Sequence, residues 1–138
     1  MFIKGVTLID SQERGEKNPD TWESPSEREL RALKVGDFVK IGLEGYNKIL
    51  NTTSKSQALG GERFWTEVTS IKGSQVTGEV QNHLMNYKIP VGFPLEFETR
   101  HILEIMTSEE MIMLEVQSMN AAGASPEEIE QFITKSRT

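Results

Sequence analysis

Residues 62–81 hold the pattern that leaves this chain the fewest folding choices. Glu62 to Ile71 is dense in aromatic and β-branched side chains, Lys72-Gly73-Ser74 is a turn, and Gln75 to Gln81 returns with Val76 and Val80 on one face. Two such runs about a short glycine-bearing turn predict an antiparallel hairpin. Further strands flank it. Val35-Gly36-Asp37-Phe38-Val39-Lys40-Ile41 leads into a strand whose Val39, Ile41 and Leu43 share a face, and Leu95, Phe97 and Thr99 alternate with Glu96, Glu98 and Arg100. Alternation of this kind is the mark of a half-buried strand. Phe2 to Ile9 is apolar enough for one more. Residues 35–41 and 91–97 share Val-Gly-x-x-apolar-charged-apolar, a tight turn into an alternating strand that suits a small barrel.

Between these strands the chain reads as connections and one short helix. Residues 11–23 are polar and carry Gly15 and Pro19, which predicts an exposed loop. Ser24-Pro25-Ser26-Glu27 predicts a helix start, with Ser24 as cap and Leu30 and Leu33 as the buried pair. Residues 44–61, rich in Gly, Ser, Thr and Asn, predict a long surface loop.

Near Met106 the character of the chain changes. Four of the six methionines (106, 111, 113 and 119) fall within fourteen residues. Residues 107–138 carry six Glu against Lys135 and Arg137, so −4 of the net charge of −6 belongs to them and only −2 to residues 1–106. Thr107-Ser108-Glu109-Glu110 and Ser125-Pro126-Glu127-Glu128 are capping boxes, and Gly123 stands where a helix would end. Ile112, Val116 and Met119 form a stripe widened by Met111 and Leu114, and Ile129, Phe132 and Ile133 form a second. The reading is an α+β chain: residues 1–106 a small SH3-like or partly open antiparallel β-barrel with one short N-terminal helix, and residues 107–138 an αα-hairpin.

Composition then excludes much chemistry. The chain has no cysteine, so disulfides, thiolate metal sites and cysteine nucleophiles are absent. An acidic net charge argues against nucleic acid or anionic lipid as a non-specific partner. No apolar run approaches the ~18 residues of a membrane span, and the first ten residues do not resemble a secretory signal. A cytoplasmic protein is expected. His83 and His101 are the only imidazoles, they match no metal-ligand spacing, and no serine or threonine lies in a nucleophile elbow. Gly60-Gly61-Glu62-Arg63 lacks the lysine and helix of a phosphate loop. Glu96 and Glu98 read as a solvated sheet face, and Asp37 as a turn residue. Catalysis, a cofactor and a metal are therefore not expected.

Two kinds of binding remain. Phe64 and Trp65 are adjacent on a strand, so their rings point to opposite faces. The outward ring is either covered by a helix or floors a groove with Arg63, Tyr46 and Tyr87, a set able to stack a base and pair a phosphate. Arg63 with Lys40 and Lys88 is a local basic cluster suited to an anion. The second kind uses the tail. A two-helix hairpin cannot bury Met111, Ile112, Val116, Met119 and Phe132 by itself, and methionine suits adaptable interfaces. A homodimer through these helices, or a protein partner, is expected.

Gly36, Asp37, Val39 and Lys40; Glu62 to Thr69; Thr77, Gly78 and Glu79; Asn82; and Gly92, Phe97, His101 and Ile102 together resemble a bacterial and phage family known as domain of unknown function 2314. The likeness covers about residues 35–105, and its most specific part is the strand Glu-Arg-Phe-Trp-Thr-Glu-Val-Thr. Asn82-His83 stands where the family tends to have Asn-Asp, and Phe93-Pro94 where Gly-Asp would continue. The resemblance implies a compact β-rich, barrel-like fold and no particular reaction. The expected function is a non-catalytic binding module for protein interaction or self-association. The alternative is a binder of small molecules, such as a phage anti-defence protein that sequesters a nucleotide signal.

Overall fold

The computed structural model describes residues 4–52 and 61–136. Six strands form one curled antiparallel sheet: β1 (Val6–Leu8), β2 (Phe38–Gly45), β3 (Glu62–Lys72), β4 (Gln75–Val80), β5 (Pro94–Glu98) and β6 (Glu104–Met106). The order is β1-β2-β3-β4-β5, and β6 returns to pair with β2. Because β3 occupies one edge of β2 over Phe38–Leu43, β1 and β6 share the other. β1 takes the end at Leu43–Gly45, while the amide of Leu103, just before β6, donates to the carbonyl of Lys40 at 2.9 Å. Sharing one long strand in this way curls the sheet into a partly open β-barrel.

The period of two decides which side chains enter the barrel. Val39, Ile41 and Leu43 of β2, Phe64 and Val68 of β3, Val76 and Val80 of β4, and Leu95 and Phe97 of β5 are all buried in one cluster. Burying each such side chain contributes roughly 2 kcal/mol. Thr66 stands among them fully buried, and its hydroxyl donates to the carbonyl of Val39 at 3.1 Å, so no polar atom is left without a partner there. The β3–β4 register slips between Val68 and Ser70, a bulge that bends the hairpin. A single 3₁₀ turn, Thr99–His101, carries the chain from β5 towards β6.

The polar stretch 11–23 is not the exposed loop its composition suggests. Asp10 caps a helix, α1 (Ser11–Lys17), by accepting from the amide of Glu13 at 3.0 Å. Gly15 does not break this helix; it makes room for a neighbour, since a Cβ there would stand 3.0 Å from Ser24 Oγ. Ser11 is fully buried, and its carbonyl accepts from the Ser24 hydroxyl at 2.8 Å. Ser24 is therefore engaged with α1, and the next helix, α2 (Glu27–Arg31), takes Ser26 as cap in a reciprocal box with Glu29. The cap lies two residues beyond the position read from the sequence. Leu33 is buried in the barrel core and Leu30 packs against it.

Residues 44–61 also depart from a simple exposed loop. β2 continues to Gly45, and Asn47 accepts from the amides of Ile49 and Leu50, which folds 47–51 into a tight turn. Asn51 is buried and forms an isolated bridge with Tyr87. The rest of that predicted loop, 53–60, lies outside the described residues, as do residues 1–3 of the predicted first strand.

Two compact units divide the chain, Met1–Ile105 and Met106–Thr138. In the second, α3 (Ser108–Ala121) and α4 (Pro126–Ser136) form the helical hairpin. Thr107 accepts from the amide of Glu110 and Ser125 from that of Glu128, each at 3.2 Å, and Gly123 closes the first helix with φ of 88°. No helix of the described residues is long and apolar enough to cross a membrane.

Candidate functional site

The outer face of β2 and β3 gathers the aromatic and basic side chains. Along β3, Phe64, Thr66 and Val68 point inward, so Arg63, Trp65 and Glu67 point outward. The register sets Trp65 beside Lys40 and Arg63 beside Gly42. The Lys40 ammonium lies 5.1 Å from the centre of the Trp65 ring and pairs with Glu104 at 3.1 Å. At Gly42 the absent side chain leaves space that Ile9 and Leu103 fill, giving this face a small apolar patch of its own.

α1 and the segment after it bring Trp22 onto the same face. Two guanidinium groups approach its ring, Arg14 at 5.7 Å and Arg63 at 5.3 Å from the ring centre. Arg14 is also held by Glu44 at 2.6 Å. Arg63 is exposed, and among the described residues it forms no ion pair. Both tryptophans are half-buried. The result is two cation–indole groups on one face, Arg14 and Arg63 against Trp22 and Lys40 against Trp65. Cation–π contact of this sort is worth about 0.5–1 kcal/mol when exposed, and it holds a long arginine in one orientation.

The groove of Arg63, Trp65, Tyr46 and Tyr87 is not assembled. Arg63 and Trp65 share the outer face, but Tyr87 belongs to the barrel core on the other side, where it is 1% exposed. Its hydroxyl donates to the carbonyl of Gly45 at 2.9 Å, and burial pushes its phenol above the ordinary range. Tyr46 is half-buried at the end of β2, where its amide donates to Gly5. Lys88 is exposed on the 83–91 segment, where an open depression of about 740 Å³ is lined by Leu84, Met85, Ile89, Pro90 and Val91.

Trp22 and Arg14 are the members of the face that the sequence reading passed over. They sit in the polar stretch 11–23, whose composition predicts a loop. A large indole in an otherwise polar segment was the available signal, because such a ring is costly to leave in water.

The polar residues that carry the family resemblance have positions in the scaffold. Glu62 accepts from the amides of Met85 and Asn86, both at 2.8 Å, and so pins the loop after β4. Asn82 accepts from the amide of Trp65 at 2.6 Å. Buried Asp37 accepts from the amide of Lys34 at 2.9 Å in the turn before β2. His101 accepts at Nδ1 from the amide of Glu98 at 3.0 Å, and burial, then the charge of Arg100, lowers its pKa. His83 is exposed.

In the hairpin, Met111, Ile112, Val116 and Met119 of α3 and Ile129, Phe132 and Ile133 of α4 are all half-buried, and no residue of either helix is buried. Leu114, expected to widen the α3 stripe, is 50% exposed and does not join it. Compared with family models, curated proteins and solved structures, the chain matches none.

Proposed function

We propose that the chain is a non-catalytic cytoplasmic binding module that self-associates through its C-terminal hairpin, and that it is a divergent relative of domain of unknown function 2314. One observation carries the self-association: a helical hairpin with its caps made, whose seven seam residues are all only half-buried. Helices of 14 and 11 residues have no interior of their own, and the hydrophobic effect favours covering that seam. A second copy offers the same seam, and two hairpins make a four-helix bundle. The family proposal is supported by Asp37, Glu62 and Asn82, which hold turns and loops of the barrel and so suit a shared scaffold.

Light scattering of the full chain at high and low concentration tests the self-association. The expected mass is twice 15.6 kDa at high concentration, falling on dilution. Each hairpin carries a net charge of −4, so association strengthens as salt screens the repulsion. Val116→Asp places a further charge in the seam and leaves a monomer. A mass of 15.6 kDa at both concentrations overturns the proposal.

A further inference from the structure

We infer that the outer face of β2 and β3 is a receptor for a nucleoside monophosphate, with Arg63 as the phosphate contact and Trp65 as the stacking platform for the base. The charges of the face lead to Arg63. Arg14 has Glu44 and Lys40 has Glu104, but Arg63 forms no ion pair among the described residues. Its guanidinium rests against Trp22, which Arg14 also approaches and whose indole N–H donates to the Ser11 hydroxyl at 3.4 Å. Stacking of this kind restricts the arginine while leaving its planar hydrogen-bonding fork open to an oxyanion, so less entropy is lost on binding. A phosphate or carboxylate accepts such a fork in two parallel bonds.

Trp65 decides what the anion is attached to. It stands two residues from Arg63 on the same strand face, so the two Cα atoms are about 6.7 Å apart. Both side chains therefore project from one face, one able to hold a phosphate and the other to stack a base. The half-buried indole is held by Lys40, and its backbone amide is fixed by the Asn82 side chain. A ring so held offers stacking worth about 1–3 kcal/mol per base. The receptor belongs to the barrel and is independent of the hairpin, so failure of the dimer does not affect it.

The chain has two tryptophans, and both lie on this face, so intrinsic fluorescence of the full chain reads the site directly. The probes are adenosine monophosphate, adenosine and inorganic phosphate. The expected result is saturable quenching by the monophosphate, weaker quenching by adenosine, and little change with phosphate. Arg63→Gln should reduce the monophosphate to the affinity of adenosine, a loss of about tenfold or more. Where that variant is misfolded by near-ultraviolet circular dichroism, salt titration of the unaltered chain decides: NaCl should weaken the monophosphate and leave adenosine unchanged. No saturable quenching up to a few millimolar, equal affinity for monophosphate and adenosine, or unchanged binding by a folded Arg63→Gln variant overturns the inference.

Discussion

Gly45 shows how much a single missing side chain contributes. Its φ is +100°, and a Cβ there would run into the carbonyl of Gly5, where β1 crosses onto β2. The same carbonyl takes a hydrogen bond from Tyr46 at 2.8 Å, and the carbonyl of Gly45 takes one from buried Tyr87 at 2.9 Å. Backbone shift at this point therefore disturbs the β1 pairing and a core side chain together. Gly45→Ala combines left-handed strain with a backbone collision, for a loss of at least about 2 kcal/mol. In a domain of this size, that is a fall in melting temperature on the order of 10 °C. Circular dichroism melts of the two proteins measure it, and the far-ultraviolet spectrum below the transition should not change.

At the scale of elements, β2 to β5 are legible in the sequence because each carries its own evidence, whereas the three residues of β6 are too few to show a period. Val39, Ile41 and Leu43, or Leu95 and Phe97, declare their face by alternation alone. The hairpin caps at Thr107 and Ser125 are legible for the same reason, since donor and acceptor lie three residues apart. α1 is not, because its glycine serves a contact with Ser24 nine residues away and its cap, Asp10, precedes the polar run. The candidate face is legible only in part. Arg63 and Trp65 follow from strand alternation, whereas Tyr87 enters the core from an irregular segment with no period to read.

The 3₁₀ turn between β5 and β6 rests on a similar local bond and makes the protein sensitive to pH. His101 Nδ1 accepts from the Glu98 amide, which a protonated imidazole cannot do. Burial and Arg100 lower its folded pKa below the unfolded value of about 6.5, so the unfolded chain binds the proton more readily. The resulting stability is present above pH ~6.5 and is lost as pH falls through the folded pKa. Melting temperature should drop on acidification below pH ~6.5, and His101→Gln should flatten the part of that fall above the carboxylate range. An identical pH profile for the variant removes His101 from the account.

For the whole molecule, the decisive fact is where the cores lie. Every member of the buried cluster falls between Val6 and Ile102, and the division between units falls after Ile105. The hairpin contributes none of those side chains, while it carries two-thirds of the net charge, −4 of −6. A chain ending at residue 106 keeps all the pairing of β1 to β5 and the return of β6 to β2. It should therefore fold alone, with the near-ultraviolet spectrum of both tryptophans retained and a melting temperature close to that of the full chain. It should also be monomeric and keep the response of Trp22 and Trp65 to adenosine monophosphate. Dimerisation of the shortened chain would place self-association on the barrel instead. Loss of its cooperative melt would mean that the barrel needs the tail to fold, and that its acidic appendage is part of the scaffold rather than an interaction element.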